Sequence, residues 1–145
     1  KHMDQTHLSR FLSGLILKTQ FDFCVGCDVI VPVPLHWSRL MKRKYNQSAF
    51  IARDIAKKTG KVYAPTAIIR YKKTKSQGHL SPKLREKNIK NAFTANPKID
   101  VLGKKILLVD DVYTTGITAN ECAKVLVKAG ASGVYVITLA RVVKG

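Results

Sequence analysis

Apolar residues recur at helical spacing in three parts of the chain, and a fourth part carries a helix-start signal. Leu8, Phe11, Leu12, Leu15 and Ile16 predict an amphipathic helix over residues 6–18, with Thr6 as its N-cap. Ser81 followed by Pro82 is typical of an N-cap and a first helical position. The predicted helices are 6–18, 47–59 ended by Gly60, 82–90, and a last one with Cys122, Val125, Leu126 and Ala129 on one face, ended by Gly130.

Shorter apolar runs lie between these stretches and predict strands. They cover residues 28–33, 62–64, 67–70, 106–109 and 134–139. Apolar strands that alternate with amphipathic helices are typical of a parallel sheet covered on both faces. We therefore predict an α/β, Rossmann-like fold with a mainly parallel sheet of about five strands flanked by helices.

The length of 145 residues indicates one domain, which we place at residues 4–145. Lys1-His2-Met3 resembles a cloning remnant. No apolar run approaches the ~20 residues that a bilayer-spanning helix needs, so we expect no membrane insertion. Three cysteines are too few for a disulfide framework, and without a secretory signal we expect a cytoplasmic protein. Cys24 and Cys27 form a lone CxxC, which we interpret as buried apolar side chains rather than a zinc site.

Positive charge is concentrated in two windows. The formal net charge is +17, and residues 39–61 and 70–90 together hold 16 of the 26 Lys and Arg residues. One interpretation is a solvated lysine-rich surface. The other is a positive field that attracts phosphates, on a small molecule or on nucleic acid.

The most informative segment is residues 106–118, which read Ile-Leu-Leu-Val-Asp-Asp-Val-Tyr-Thr-Thr-Gly-Ile-Thr. A buried strand would deliver Asp110 and Asp111 to the carboxyl end of the sheet, where α/β folds bind ligands. The threonine and glycine loop would then enter a helix, whose free N–H groups favour an anion. Carboxylates beside a phosphate site suit a ligand that also presents hydroxyls, such as a ribose 5-phosphate.

A bare Mg²⁺ site is the alternative interpretation of the two carboxylates, as in phosphotransfer proteins or ATPases. The chain has no Gly-x-x-x-x-Gly-Lys-Ser/Thr loop, which argues against an ATPase. The threonine loop favours ribose-phosphate binding.

Residues 106–118 resemble the phosphoribosyl pyrophosphate motif of type I phosphoribosyltransferases. Further blocks resemble the competence protein F branch of that superfamily. They are Val-Pro-Val-Pro-Leu-His at 31–36 with Arg39, Lys-Tyr-Asn-Gln-Ser at 44–48, and residues 70–93 with Arg70, Thr74, Gln77, Arg85 and Asn88. The branch usually has Gly-Phe-Asn-Gln where this chain has Lys44-Tyr45-Asn46-Gln47, and it usually begins with a zinc module that is absent here.

This resemblance implies roles for three groups of residues. Asp110 and Asp111 would hold the ribose hydroxyls, and residues 113–118 the 5-phosphate: Tyr113, Thr114, Thr115, Gly116, Ile117 and Thr118. The loop after the first strand would contact pyrophosphate through Leu35, His36, Trp37 and Arg39. A mobile lid over about 72–81 would include Lys75 and Gln77. Mg²⁺ would accompany the pyrophosphate, held mainly by ligand oxygens and water.

Two functions follow as hypotheses. The first is an enzyme that binds phosphoribosyl pyrophosphate with Mg²⁺ and transfers the phosphoribosyl group to a nitrogen acceptor, releasing pyrophosphate. The second is a non-catalytic competence module for DNA uptake, binding single-stranded DNA or competence proteins through its basic surface. Some of these residues also have a purely structural interpretation. His36 could be a surface residue, the lid a solvated loop, and Trp37 and Tyr45 core side chains rather than rings on which bases stack.

Overall fold

The computed structural model describes residues 2–35, 45–72, 81–113 and 115–142. Helices and strands alternate through these ranges. In chain order they are α1 (His2–Val25), β1 (Val29–Pro32), α2 (Gln47–Thr59), β2 (Val62–Tyr63), β3 (Ile68–Arg70), α3 (Pro82–Ile89), β4 (Phe93–Ala95), β5 (Lys105–Tyr113), α4 (Ile117–Lys128) and β6 (Gly133–Arg141).

A parallel sheet with strand order β2-β1-β5-β6 forms the centre of the fold. β1 and β5 lie side by side in its middle, with Val29 beside Ile106 and Pro32 beside Val109. Every residue of β1 is buried, as expected for a strand covered on both faces. The predicted α/β class is confirmed, and the described sheet has four strands where about five were expected.

β3 and β4 form a separate antiparallel pair outside this sheet. Ile68 lies opposite Ala95, and Arg70 lies opposite Phe93. β3 was predicted as a strand, but β4 was not, because three residues are too few to show an alternating pattern.

Two apolar clusters pack on opposite faces of the sheet because side chains alternate along each strand. Ile106 and Leu108 of β5 pack with Cys122 and Leu126 of α4. On the other face, Leu107 and Val109 pack with residues of α1 and α2: Ile16, Cys24, Ile51, Ala52, Ile55 and Ala56. The even-numbered positions of β5 therefore face α4, which fixes the orientation of the residues that follow them.

α1 differs from its prediction in length and in the face that it buries. The helix runs from His2 to Val25, with non-helical geometry at Gln20, instead of over 6–18. Ser9 and Ser13 are buried, whereas three residues of the predicted apolar face are at least half exposed: Leu8, Phe11 and Leu15. The small serines allow α1 to approach α2 closely.

A polar network joins α1 to α2 at this contact. The Ser13 hydroxyl donates to the Asp54 carboxylate, and Gln47 Nε2 donates to the Ser9 hydroxyl over 3.3 Å. Lys58 lies 2.8 Å from the same Asp54 carboxylate. Because buried polar groups need hydrogen-bond partners, this network explains why the serine face, not the more apolar one, lies inside.

The Gly60 end of α2 and the Ser81 cap of α3 follow the sequence prediction, whereas the Asn46 cap of α2 was not predicted. Asn46 caps α2 by accepting from the Ala49 amide, and Gly60 ends it in the left-handed conformation at φ 68°. Ser81 caps α3 by accepting from the Leu84 amide over 3.4 Å. Within the described ranges, no helix is apolar over enough of its length to cross a bilayer.

Candidate functional site

β5 carries Asp110 and Asp111 beyond the buried part of the sheet. The strand was expected to end before these residues, but it continues to Tyr113 because β6 pairs with it, Asp110 beside Thr138 and Tyr113 beside Arg141. The pairing is regular, so the two carboxylates leave opposite faces of the strand. Asp110 lies on the face that α4 covers.

The two carboxylates also satisfy backbone groups at this strand end. The Asp111 amide donates to Asp110 Oδ1 over 2.9 Å, and the Val112 amide donates to Asp111 Oδ1 over 2.8 Å. β1 ends at Pro32, so within the described ranges no strand pairs with β5 on that side here, and side chains accept these hydrogen bonds instead. An ionised carboxylate oxygen accepts more than one hydrogen bond, so these two contacts alone do not exhaust either side chain.

Burial and, after it, the negative charge of Asp111 raise the pKa of Asp110 to about 7, against the lowering effect of the Asp111 amide. At neutral pH this carboxyl is therefore divided between its neutral and ionised forms. The neutral form can donate a hydrogen bond, and the ionised form only accepts.

Two charged side chains act on the Cys122 thiol beneath this strand end. Burial raises the pKa of Cys122, the charge of Asp110 raises it further, and the charge of Arg70 lowers it. Arg70 lies with its Cζ 5.3 Å from the centre of the Phe93 ring. Arg70 was part of the family resemblance but was not predicted as a site residue.

A short loop joins β5 to α4. The helix begins at Ile117, not after Thr118, so the loop is three residues long rather than six or seven. Its last residue, Gly116, is the N-cap at φ 74°. A glycine cap has no side chain to accept the first helical N–H groups, which leaves them for water or a ligand.

Gly116 also lies under the ring of Tyr113. A Cβ added at Gly116 would be 2.6 Å from Tyr113 Cε2 and Cζ and in contact with the hydroxyl. Both the left-handed conformation and this packing therefore require glycine.

The remaining residues of this loop differ in what they present to solvent. Thr115 is exposed and Thr118 half-buried. The Ile117 side chain packs against the core, so only its amide can reach a ligand. Thr114 falls between the described ranges.

The predicted pyrophosphate loop and lid lie mostly outside the described residues. Leu35 is described and half-buried, whereas His36, Trp37 and Arg39 are not described, nor are Lys75 and Gln77. Asn46 connects the start of the loop after β1 to α2, because its Nδ2 donates to the Val33 carbonyl over 3.2 Å while its Oδ1 caps the helix.

Cys24 and Cys27 are buried free thiols, which confirms their interpretation as apolar core residues. Burial raises the pKa of Cys24 to about 11 and also raises that of Cys27. Protonated, buried thiols are poor metal ligands and poor nucleophiles.

Sequence reasoning missed one further residue beside the loop. Arg141, at the end of β6, lies with its Cζ 5.8 Å from the centre of the Tyr113 ring. The only signal in the sequence is its position at the end of the last predicted strand.

Comparison with known proteins agrees with this arrangement. A family model described as "Phosphoribosyl transferase domain" matches residues 46–145. DNA utilization protein YhgH of Salmonella typhi is 40% identical over 114 residues, which are 79% of this chain and 49% of that protein. Competence protein F of Haemophilus influenzae is 38% identical over 115 residues, 79% of this chain and 50% of that protein. The chain thus spans about half the length of these curated relatives.

A solved structure shares the fold. Glutamine phosphoribosylpyrophosphate amidotransferase from B. subtilis superimposes with a TM-score of 0.59 and 24% identity, over 93% of this chain and 26% of that one. At this identity the likeness concerns the fold alone.

Proposed function

Because the chain belongs to the phosphoribosyl transferase domain family, we propose that it binds phosphoribosyl pyrophosphate at the carboxyl end of β5. The observation that carries this proposal is the placement of Asp110 and Asp111 on the last part of β5, five to six residues before the glycine cap of α4. Carboxylates accept hydrogen bonds from hydroxyls, and a helix N-terminus favours a phosphate. A ribose 5-phosphate presents both groups.

In this proposal each part of the site holds one part of the ligand. Asp110 and Asp111 accept hydrogen bonds from the ribose hydroxyls. Thr115, Thr118 and the amides at the start of α4 bind the 5-phosphate, and Thr114 completes the loop. Leu35, His36, Trp37 and Arg39 remain the predicted contacts of pyrophosphate, and Lys75 and Gln77 remain the predicted lid.

The reaction that we propose is transfer of the phosphoribosyl group to a nitrogen acceptor. The bond between ribose C1 and the pyrophosphate oxygen breaks, the oxygen keeps the electron pair, and a C1–N bond forms as the acceptor loses a proton. The protein contributes mainly by positioning the ligand and excluding water. The half-protonated Asp110 carboxyl keeps one ribose hydroxyl oriented close to neutral pH.

The described residues fit a Mg²⁺ that is held mainly by the ligand. Among them, no three His, Cys, Asp or Glu side chains form a metal-binding group. Asp110 and Asp111 could supply at most a minority of the six oxygens that Mg²⁺ needs, leaving the others to ligand and water. When bound, the ion would neutralise charge on the departing pyrophosphate.

Calorimetric titration of phosphoribosyl pyrophosphate with Mg²⁺ tests the proposal, at about physiological salt. We expect the wild-type protein to bind and the Asp110→Asn/Asp111→Asn variant to lose binding. The variant is two charges more positive, so a purely electrostatic site would bind as well or better. Equal binding by both proteins, or binding by neither, would overturn the proposal.

A second candidate function is binding of single-stranded DNA, which one described cluster favours. The rings of Tyr45 and Phe50 lie 6.4 Å apart, and Arg53 Cζ lies 5.2 Å from the centre of the Phe50 ring. Aromatic rings among basic residues are typical of surfaces on which bases stack. The names of the curated relatives, DNA utilization protein and competence protein F, agree with this candidate.

Fluorescence anisotropy with a labelled oligonucleotide separates the two candidates. DNA affinity should fall steeply with salt, with a slope set by the number of phosphates neutralised. It should depend on Phe50 and Arg53 and should not depend on Asp110. A Phe50→Ala/Arg53→Ala variant that binds DNA as wild type does would exclude this surface.

A further inference from the structure

The loop proposed to hold a phosphate lies in a locally acidic part of a basic protein. Residues 110–123 contain three acids and no Lys or Arg: Asp110, Asp111 and Glu121. The next cation in the chain, Lys124, lies 2.7 Å from Glu121. A positive charge from another element of the fold would therefore strengthen the binding of an anion at this loop.

Two described arginines lie close to this region. Arg70 lies over Phe93, and its charge lowers the pKa of Cys122, on the face of β5 that α4 covers. Arg141 lies at the loop itself, because β6 runs parallel to β5 and places it beside Tyr113 in register. The Val142 amide extends this pairing by donating to the Tyr113 carbonyl over 3.0 Å.

Arg141, Tyr113 and Gly116 form a chain of contacts that leads to the start of α4. Arg141 packs over the Tyr113 ring, and the hydroxyl end of that ring packs on Gly116. The next residue, Ile117, begins the helix. A guanidinium that stacks on a ring keeps its N–H edges available, and two parallel N–H groups match a phosphate.

We propose that Arg141 is the cationic residue of the 5-phosphate site, oriented by Tyr113 at the N-terminus of α4. This inference rests on the proposed function and adds a residue to it. The ligand class is a phosphate monoester on a sugar. Arg141 offsets the repulsion between the three acids and the phosphate. Because the Arg141 side chain already packs on Tyr113, it loses little conformational freedom when the phosphate binds.

Titration with ribose 5-phosphate, with phosphoribosyl pyrophosphate and Mg²⁺, and with pyrophosphate and Mg²⁺ tests this role. Arg141→Ala should weaken binding of the first two ligands by the same factor, about tenfold or more, as expected for a charge-assisted hydrogen bond. It should leave pyrophosphate binding unchanged, because pyrophosphate occupies the other end of the site. Arg141→Lys keeps the charge but loses the paired donors, and should recover part of the affinity.

Arg53→Ala is the matched control. Arg53 is also an exposed arginine that packs over an aromatic ring, at Phe50, and its removal lowers the net charge equally. It should change ribose 5-phosphate affinity less than twofold, about the effect of one distant screened charge. If Arg53→Ala and Arg141→Ala lost ribose 5-phosphate affinity equally, the effect would be one of net charge, and the role of Arg141 would be overturned.

The outcomes also separate this inference from the proposed function. The role of Arg141 alone would be overturned if Arg141→Ala bound ribose 5-phosphate as tightly as wild type while Asp110→Asn/Asp111→Asn lost binding. A wild-type protein that binds neither sugar phosphate would overturn the proposed function and Arg141 with it. Circular dichroism of each variant confirms that the fold is intact.

Discussion

Replacing Asp110 with asparagine should stabilise the folded protein above neutral pH. Burial raises the pKa of Asp110 from its ordinary value of 3.8 to about 7. The folded protein therefore holds this proton more tightly than the unfolded chain does. As pH rises from about 4 to about 7, the free energy of unfolding falls, and above that range the destabilisation is constant.

The size of the effect follows from the two pKa values. A difference of about three pH units, at about 1.4 kcal/mol each, gives an upper figure of roughly 4 kcal/mol. Asp110 keeps part of its surface in water, and solvent screening reduces the figure to about 2 kcal/mol. Asparagine keeps the oxygen that accepts from the Asp111 amide and removes the charge.

Urea unfolding at pH 5 and pH 8 measures this difference. We expect Asp110→Asn to gain about 1.2 kcal/mol relative to wild type on going from pH 5 to pH 8, because roughly two-fifths of the full effect is already present at pH 5. Asp100→Asn is the control, since it removes one exposed carboxylate whose pKa is lowered, mainly by the Leu102 amide, and it should bring no gain at pH 8. If the free energy of unfolding changed equally with pH in wild type and Asp110→Asn, the reasoning would be refuted.

Three further predictions concern stability and reactivity. In urea unfolding, Gly116→Ala should lower the free energy of unfolding by about 1–3 kcal/mol more than Gly60→Ala does, because both glycines have positive φ but only Gly116 lies against a ring. Equal losses of stability in the two variants would show that the Tyr113 ring moves aside freely. Ile55→Ala should cost about 2–5 kcal/mol, whereas Val62→Ala on the exposed side of β2 should change stability by less than about 0.5 kcal/mol, with denaturation midpoints as the measurement. The three buried cysteines should react with a disulfide reagent at least about tenfold more slowly in the native protein than in denaturant, and fast labelling of the native protein would contradict their burial.

The sequence predicted best those elements whose ends carry local chemical signals. The end of α2 follows from Gly60, and the start of α3 follows from Ser81 and Pro82. The buried middle of β5 was evident from four consecutive apolar residues. In each case the determinant lies within a few residues of the element itself.

The errors occur where tertiary contacts decide the structure. α1 buries serines because Asp54 and Gln47 of α2 offer them partners, and no local pattern reveals those partners. β5 continues past Val109 because β6 pairs with it, which shortens the loop before α4. The proximity of Arg141 to Tyr113 has the same origin, since it depends on the register of two strands.

The position of β5 in the middle of the sheet has a consequence for folding during synthesis. Val29 of β1 pairs with Ile106 of β5, which is synthesised 77 residues later. Until β5 leaves the ribosome, β1 lacks its neighbour on one side, and the apolar surfaces of α2 lack Leu107 and Val109. Such distant pairing slows folding and exposes apolar strands to aggregation. Residues 2–104 should therefore depend on chaperone protection until β5 is made, and the domain should fold only when residues 105–141 emerge.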